Sequence, residues 1–570
     1  MTPAFSDGRD FLQKKKKEQR CWVVKRRNQV LAVLCILCLL AGQVPIRPLA
    51  AAAPLRLTVA ADPHFQCAAD LGAFSDEYTA HLLDPDLYGY ASTQGQMNYE
   101  SEAILAELLS AFEASDSDCL LIAGDLTNGK RSSHLAFAAY LHQAEQRSGK
   151  PIFVINGNHD CAAESSESAV SMEEFREIYA EFGYNEAVAR HDSSASYAAD
   201  LNGQYRLLAI DSCIYGEDDG KLGADVFRWI KAQTKQAKAD GKTLIAMMHH
   251  SILPHYELQP MLDLWQIYAG WFADHGIQTV LTGHIHANDI SSASSDRGNV
   301  LYDIQTGSLI SAPNAWRTLC FDRGGVTVET RFIEKIDGSL LPGTLTAQQK
   351  ALLQADFPAY AHAYFVSGVG KWLNRNVGSV NRLVRWFKLK EGTRAYAAAE
   401  QLTGTLGDAV GQDIYGPDKS IEAALAPFGV TVAPSDYQKP YEVAATLMYG
   451  FFHGDEQTVS SDADLSLLLT CLEGAILSAA QNLPDRASLG ALVYQLTGLP
   501  LSSAALRKTA EKLAFALLKT LAGGIADDYS APADLNVTLP LFTAKKAVLL
   551  HPLLRFFRLV TKFVKSVFSR

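Results

Sequence analysis

Cysteine is sparse in this chain. There are nine in 570 residues, and no pair of CxxC units. That argues against a structural zinc–thiolate site. The uninterrupted apolar run Val30–Ala41 is short for a transmembrane helix. No internal repeat is visible, which leaves out solenoid and array architectures. Positive charge is scarce outside the ends. The formal net charge is −11, and residues 1–53 hold ten Lys/Arg against three Asp/Glu, so the rest of the chain carries −18. An acidic body of this kind argues against coating a nucleic acid. What is present is ordinary for a globular protein: 48% hydrophobic residues, 20% charged, and enough length for two or more cored domains.

The ends differ from the body. Residues 1–28 are strongly basic, with Lys14 to Lys17, Arg20, Lys25, Arg26 and Arg27 ahead of the apolar run. Small residues, Ala50 to Ala53, follow it. Basic region, apolar region and small-residue exit form the pattern of a secretory signal, with cleavage expected near Ala51 to Ala53. The alternative is an uncleaved membrane anchor in the same residues. Residues 543–570 hold seven basic residues and no acidic ones. Arg555, Arg558, Lys562 and Lys565 recur three and four apart, with Phe556, Phe557, Val560, Phe563, Val564 and Val567 on the other side. This spacing predicts a basic amphipathic tail helix, lying on an anionic membrane surface or packed on the acidic body.

Between the ends, apolar strand-like runs alternate with helical periodicity. Strands are expected at Leu55–Ala61, Cys119–Ala123, Pro151–Ile155, Tyr205–Ile210, Thr243–Met248 and Ile277–Leu281, with closing strands at Val300–Ile304 and Val326–Phe332. Helices are expected at Glu100–Ala114, Ser133–Gln146, Ser171–Phe182, Ala224–Ala239 and Leu262–His275. The alternation implies a layered α/β domain over 54–340. From Thr346 the periodicity is helical almost throughout, so an all-α domain is expected over 345–540. Gly450 to Glu456 reads as a loop within it, with His453 and Asp455 as plain loop residues.

Short polar clusters follow successive strands: Asp62-Pro63-His64, Gly124-Asp125, Asn156-Gly157-Asn158-His159-Asp160, His249-His250 and Gly283-His284-Ile285-His286. Gly157 is expected to give the turn its backbone freedom. Each cluster alone is common in loops. Together, at strand ends in an α/β sheet, they converge on one crevice. Carboxylate, imidazole and amide oxygen suit borderline divalent ions such as Zn, Mn or Fe. Asp62, His64, Asp125, Asn158, His159, His249, His284 and His286 are eight such groups, more than one ion needs, and two ions sharing a carboxylate would use them. Cys67 and Cys161 each sit close after a motif and could pair in an oxidising compartment.

The order Asp62-x-His64, Gly124-Asp125, Gly157-Asn158-His159-Asp160, His249, Gly283-His284-x-His286 resembles the calcineurin-like metallophosphoesterase superfamily over roughly residues 55–335. The resemblance implies a layered β-sandwich core flanked by helices and two divalent metal ions. It implies Asp62, His64, Asp125 and His286 at one ion, and Asp125, Asn158, His249 and His284 at the other. His249 is chosen over His250 because the family places its ligand first after the strand. The resemblance makes His159 a catalytic group facing phosphate, and Asp160 the group that orients it. It implies a phosphoester substrate, hydrolysed by attack of a metal-bridging hydroxide. Asp125-Leu126-Thr127-Asn128-Gly129 lacks the Asp-Arg-Gly of serine/threonine protein phosphatases and is similar to the phosphodiesterase branch. With the leader, the expectation is an exported phosphodiesterase or phosphomonoesterase, extracellular or at the cell surface, with no nucleic-acid coating expected of its acidic body. The alternative is a non-catalytic surface protein on the same fold. The insertion after His64 and the segment Ser308 to Trp316 are expected at the pocket rim, with Tyr88, Tyr90, Asn314 and Trp316 as candidates to touch substrate.

Overall fold

The structure is a computed structural model. It describes residues 54–71, 95–255, 259, 261–322, 324–341, 353, 355–377, 388–409, 411–454, 463–522 and 534–541. The expected leader, the tail helix, and Tyr88 and Tyr90 lie outside the described residues.

Two sheets form the core. The first runs β13-β12-β11-β1-β2-β3, with β1 at Leu55–Ala60, β2 at Cys119–Ala123, β3 at Ile152–Ile155, β11 at Ala315–Phe321, β12 at Val326–Phe332 and β13 at Asn536–Leu539. The second runs β4-β5-β6-β7-β8-β10-β9, with β4 at Ala187–Arg190, β5 at Tyr197–Asp200, β6 at Tyr205–Ile210, β7 at Thr243–Met248, β8 at Ile277–Thr282, β9 at Asp289–Ser294 and β10 at Val300–Gln305. β1, β2 and β3 are parallel neighbours, as are β6, β7 and β8. Their sequences explain this. Every residue of β2 and β3 is buried, as a parallel strand covered on both faces requires. β11 instead alternates buried and half-buried residues along its length, the mark of one open face.

Alternate residues of the second sheet face two different cores. Leu207, Ala209, Ile245 and Met247 join the core shared with the first sheet. Leu208, Ile210, Ala246 and Met248 join a separate outer core. That outer core also holds Val226 and Ile230 of the helix Ala224–Ala239 and Phe272 of the helix Trp265–His275. The helices Ser101–Ala114 and Arg131–Ser148 contribute Leu105, Leu108, Phe112, Phe137 and Leu141 to the shared core. This is the layered sandwich with flanking helices expected from the sequence.

The C-terminal region is helical, with long helices at Phe357–Val377, Arg394–Ala409, Pro440–His453, Ala463–Asn482, Arg486–Thr497 and Ser503–Ala522. Among the described residues, one helix, Ala463–Asn482, is long and apolar enough to cross a membrane, and most of it is buried inside the protein. Two expectations change here. The Gly450 to Gly454 stretch is not a loop: the helix continues through His453 and closes on Gly454 in a left-handed cap. His453 stacks on Phe332 of β12, and Asp455 lies outside the described residues. Nor is 345–540 helical to its end. β13 returns to the first sheet and pairs antiparallel with β12, so the helices are inserted between two strands of one sheet. A four-residue strand has too little periodicity to stand out after a helical stretch. Leu402, Leu477 and Val493 of the helices belong to the same contiguous core as Leu57 and Val154 of the sheet.

Candidate metal centre

The parallel strands of both sheets end at the same edge, and their loops carry the polar clusters. Asp62 and His64 follow β1, Asp125 follows β2, Asn158 follows β3, His249 follows β7, and His284 and His286 follow β8. The backbone there is strained. Asp62, His64, Asp125, His284 and His286 all have positive φ, between 36° and 75°. Side chains with a Cβ rarely adopt this region, and such strain persists only where surrounding structure imposes it.

The side chains form two groups. Asp62, His64 and His286 each bring one ligand atom to a common point, and so do Asp125, His249 and His284. Asp125 joins the groups, with its Oδ2 3.5 Å from His64 Nε2 and 3.3 Å from His249 Nε2. In the first group His64 Nε2 lies 3.2 Å from His286 Nε2, and His286 Nε2 lies 3.6 Å from Asp62 Oδ1. In the second, His249 Nε2 lies 3.0 Å from Asn158 Oδ1 and 3.2 Å from His284 Nδ1. All seven expected ligands therefore lie around one double cluster.

The arrangement fits cations. His249 Nδ1 donates to the carbonyl of Ala123 at 2.9 Å, and His64 Nδ1 donates to Asn128 Oδ1 at 2.8 Å. With those nitrogens protonated, each ring in its neutral form, the form that binds a metal, turns a bare Nε2 lone pair inward, toward other acceptors. Lone pairs and carboxylate oxygens facing one another need a positive charge between them. Burial, helped by His159, holds His64 down at about 4 although Asp125 pulls it upward. Burial and the neighbouring His249 hold His284 down at about 3. Burial resists charge on His249 too, but Asp125 and Asp62 win and raise it to about 9. Burial would raise Asp125, yet His249, His64 and His159 keep it well below the usual carboxylate range. Burial keeps Asp62 well above it.

Glycines make room for this crowding. A Cβ on Gly157 would stand 2.0 Å from Asp125 Oδ1 and 2.2 Å from its backbone nitrogen. Gly157 does not have positive φ, so space rather than conformational freedom is what this position requires. Gly124 needs both, with φ +88° and a Cβ position 2.6 Å from His249 Nδ1.

His250 is not in either ligand group, although its ring lies against His284 with centroids 4.5 Å apart. It is fully buried, and its Nδ1 is 2.9 Å from Ser212 Oγ. His159 is exposed, with its ring centroid 5.2 Å from that of His64. Its backbone N–H donates to Asp125 Oδ1 at 2.9 Å. Asp160 does not orient the His159 ring. Its Oδ2 accepts from Leu126 N at 3.0 Å and Gly157 N at 2.8 Å, and its Oδ1 accepts from Thr127 N at 2.9 Å. The carboxylate ties together the loops that carry Asp125 and Asn158. Burial and the nearby Asp125 raise it to about 7 against the pull of those three amides.

Matched residues of this chain stretch across much of this geometry. Residues 55–288 match the family described as calcineurin-like phosphoesterase. A protein of Psychrobacter arcticus described as a probable cyclic nucleotide phosphodiesterase is 25% identical over 195 residues, which is 33% of this chain and 63% of that relative. The chain thus covers less than two thirds of the relative's length. Among solved structures, a dimetal phosphatase from Danio rerio aligns at 11% identity and a TM-score of 0.35, over 49% of this chain and 96% of that one. A purple acid phosphatase from Lupinus luteus aligns at 12% identity and a TM-score of 0.31, over 49% and 52%.

Sequence reasoning missed several residues that support the double cluster. Asn128 sits within a motif already singled out, yet nothing in the sequence marks it as the partner of His64. Asp211 accepts from Asn156 Nδ2 at 3.0 Å and from Cys213 N at 3.0 Å, bracing the loop after β3. Cys67 and Cys161 are both unpaired thiols. Of the expected rim, Asn314 is buried and donates to the Leu309 carbonyl at 3.0 Å. Trp316 lines a cavity of about 400 Å³ with Arg56, Asp116 and Arg331, none of them a residue of the centre.

Proposed function

We propose that the chain is a dinuclear metal-dependent phosphoesterase. The observation that carries this reading is the double cluster itself, in which Asp125 is shared by two groups of inward-facing ligands. Asp62, His64, Asp125 and His286 would hold one divalent ion, and Asp125, Asn158, His249 and His284 the other. When bound, a pair of such ions supplies Lewis-acid polarisation of the phosphoryl group and a water made acidic enough to attack it. The chain's own residues do the rest. His159, exposed beside His64, is placed to donate a proton to the leaving oxygen. Asp160 and the strained loops hold the ligands at fixed separations, so little reorganisation accompanies the reaction.

The finer reading is a phosphodiester substrate. It is supported by the Gly124-Asp125-Leu126-Thr127-Asn128 motif and by the description of the Psychrobacter relative. We also place the protein outside the cytoplasm, on the basic residues before Val30–Ala41. An N-terminal sequence of the purified protein starting near Ala51 to Ala53 supports export, and an intact Met1 on a soluble cytoplasmic protein removes it.

The test of activity uses purified protein loaded with Mn, Zn or Fe, assayed against chromogenic phosphodiesters and monoesters with and without chelator. Chelator-sensitive hydrolysis, faster on the diester, is the expected result. Metal binding without hydrolysis of any ester would point to the non-catalytic alternative instead.

A further inference from the structure

Among the described residues, the inserted helices meet the loop that carries His286 at Asn288. It lies two positions after His286 and is fully buried. Its backbone N–H donates to the Phe452 carbonyl at 3.2 Å, and its side-chain Nδ2 donates to the same oxygen at 3.0 Å. Phe452 is in the last turn of the helix Pro440–His453, where carbonyls have no partner within the helix. Asn288 thus satisfies the helix end with two donors.

The other end of the amide points toward the ligands. Asn288 Oδ1 accepts from Gly307 N at 3.0 Å. The next residue, Ser308, donates its backbone N–H to the His286 carbonyl at 3.3 Å and its hydroxyl to the Asp62 carbonyl at 2.9 Å. Leu309 N donates to Ala61 O at 3.0 Å. The chain of bonds therefore runs from the helix end through Asn288 to the backbones of Asp62 and His286. Both belong to the same ligand group. None of these bonds, from Phe452 to Asp62 and His286, involves Asn158, His249 or the side chain of His284.

Close packing leaves no slack. A Cβ on Gly307 would stand 2.9 Å from Asn288 Nδ2. One on Gly454, at φ +88°, would stand 2.8 Å from the Asn288 carbonyl oxygen.

We propose that Asn288 is a positioning residue through which the helix Pro440–His453 sets the affinity of the Asp62–His64–His286 site for its metal ion. The proposal rests on the dinuclear reading above. It gives the inserted helices a role in the centre, since one of the two ions is held at full strength only while Phe452 and Gly454 are docked. The side-chain amide does this with both ends at once, Nδ2 donating to the Phe452 carbonyl and Oδ1 accepting from Gly307 N.

The test uses the full chain equilibrated at a series of free Mn²⁺ and Co²⁺ concentrations, with bound metal counted directly and the Co²⁺ absorption spectrum recorded. Wild type should hold two ions. Asn288→Ala should retain one ion and bind the other about 10–100-fold more weakly, the usual effect of removing a group that orients a ligand. At intermediate Co²⁺ its spectrum should match that of half-loaded His286→Ala and differ from that of Asn158→Ala. Asn288→Asp keeps the acceptor for Gly307 but loses the donor to Phe452, and should show the same selective loss. Gly454→Ala, on the helical side, should do so as well, and should add little to Asn288→Ala in the double variant. If Asn288→Ala fails to fold, Asn288→Asp and Gly454→Ala decide the matter. Two equally tight ions in those variants, or equal weakening of both ions, overturns the proposal. Wild type holding no ions would overturn the metal reading as well, and the two failures are thus distinct.

Discussion

The Asp160 carboxylate separates two accounts of this centre. If it oriented the His159 ring, Asp160→Asn would cost rate and leave stability nearly intact. The structure places it between three backbone amides, Leu126 N, Thr127 N and Gly157 N. An asparagine there can present oxygen at the Oδ2 position, keeping Leu126 and Gly157. Its NH₂ then faces the Thr127 N–H, donor against donor. The loss is one hydrogen bond to a charged group plus one buried unsatisfied donor, about 3–6 kcal/mol together. Because Leu126 adjoins Asp125 and Gly157 adjoins Asn158, the loosened loops should also release metal. The assay is thermal unfolding with and without bound metal at pH 8, above the raised value of about 7 for this group, with metal content measured on the same samples. The expected outcome is a lower unfolding temperature in both states and a reduced metal content. An unchanged unfolding temperature and full metal content with a large loss of kcat would refute the bracing role and restore the one the motif implies.

Other consequences are as direct. Asp125→Asn should abolish hydrolysis and lower the metal count, because both ligand groups lose their shared carboxylate; wild-type activity in that variant would contradict the assignment. His159→Ala should keep both ions and lose about 10²–10⁴-fold in kcat, checked by steady-state kinetics beside metal analysis. His255 is fully buried between Asp289 Oδ1 at 3.2 Å and Asp303 Oδ2 at 3.5 Å. Burial disfavours its charge, but the two carboxylates raise it from 6.5 to about 10. A raised folded-state value means the stabilisation is fully present below about 6.5, the unfolded value, and fades as pH climbs toward 10. Unfolding curves from pH 6 to 10 should show this fall, and His255→Ala, which leaves two buried carboxylates uncompensated at a cost of about 3–5 kcal/mol, should flatten it.

Much of the centre was legible in the sequence because its chemistry is local. A parallel strand buried on both faces is an unbroken apolar run, and the polar residues at its end stand out against that run. Asp62, His64, Asp125, Asn158, His249, His284 and His286 could be named this way, as could the layered α/β class. The residues around them could not. Asn128 beneath His64, Asp211 beneath Asn156, and Asn288 beneath His286 are unremarkable polar residues in loops. Their partners are 55, 64 and 164 residues away for the pairs Asn156–Asp211, His64–Asn128 and Asn288–Phe452.

What the sequence determined alone is thus the inventory: which strands carry chemistry, in what order, and which side chains could serve as metal ligands. Tertiary structure decided how that inventory is held. It sent the Asp160 carboxylate to three amides instead of an imidazole, because those amides would otherwise be buried without acceptors. It made Gly157 a matter of space, because the Asp125 carboxylate comes from another strand to within 2.0 Å of where a Cβ would stand. It also returned Asn536–Leu539 to the first sheet beside β12, since an edge strand gains its hydrogen bonds only from a neighbour that local sequence cannot name. Period and propensity act over a few residues, whereas each of these outcomes depends on contacts closed across dozens to hundreds.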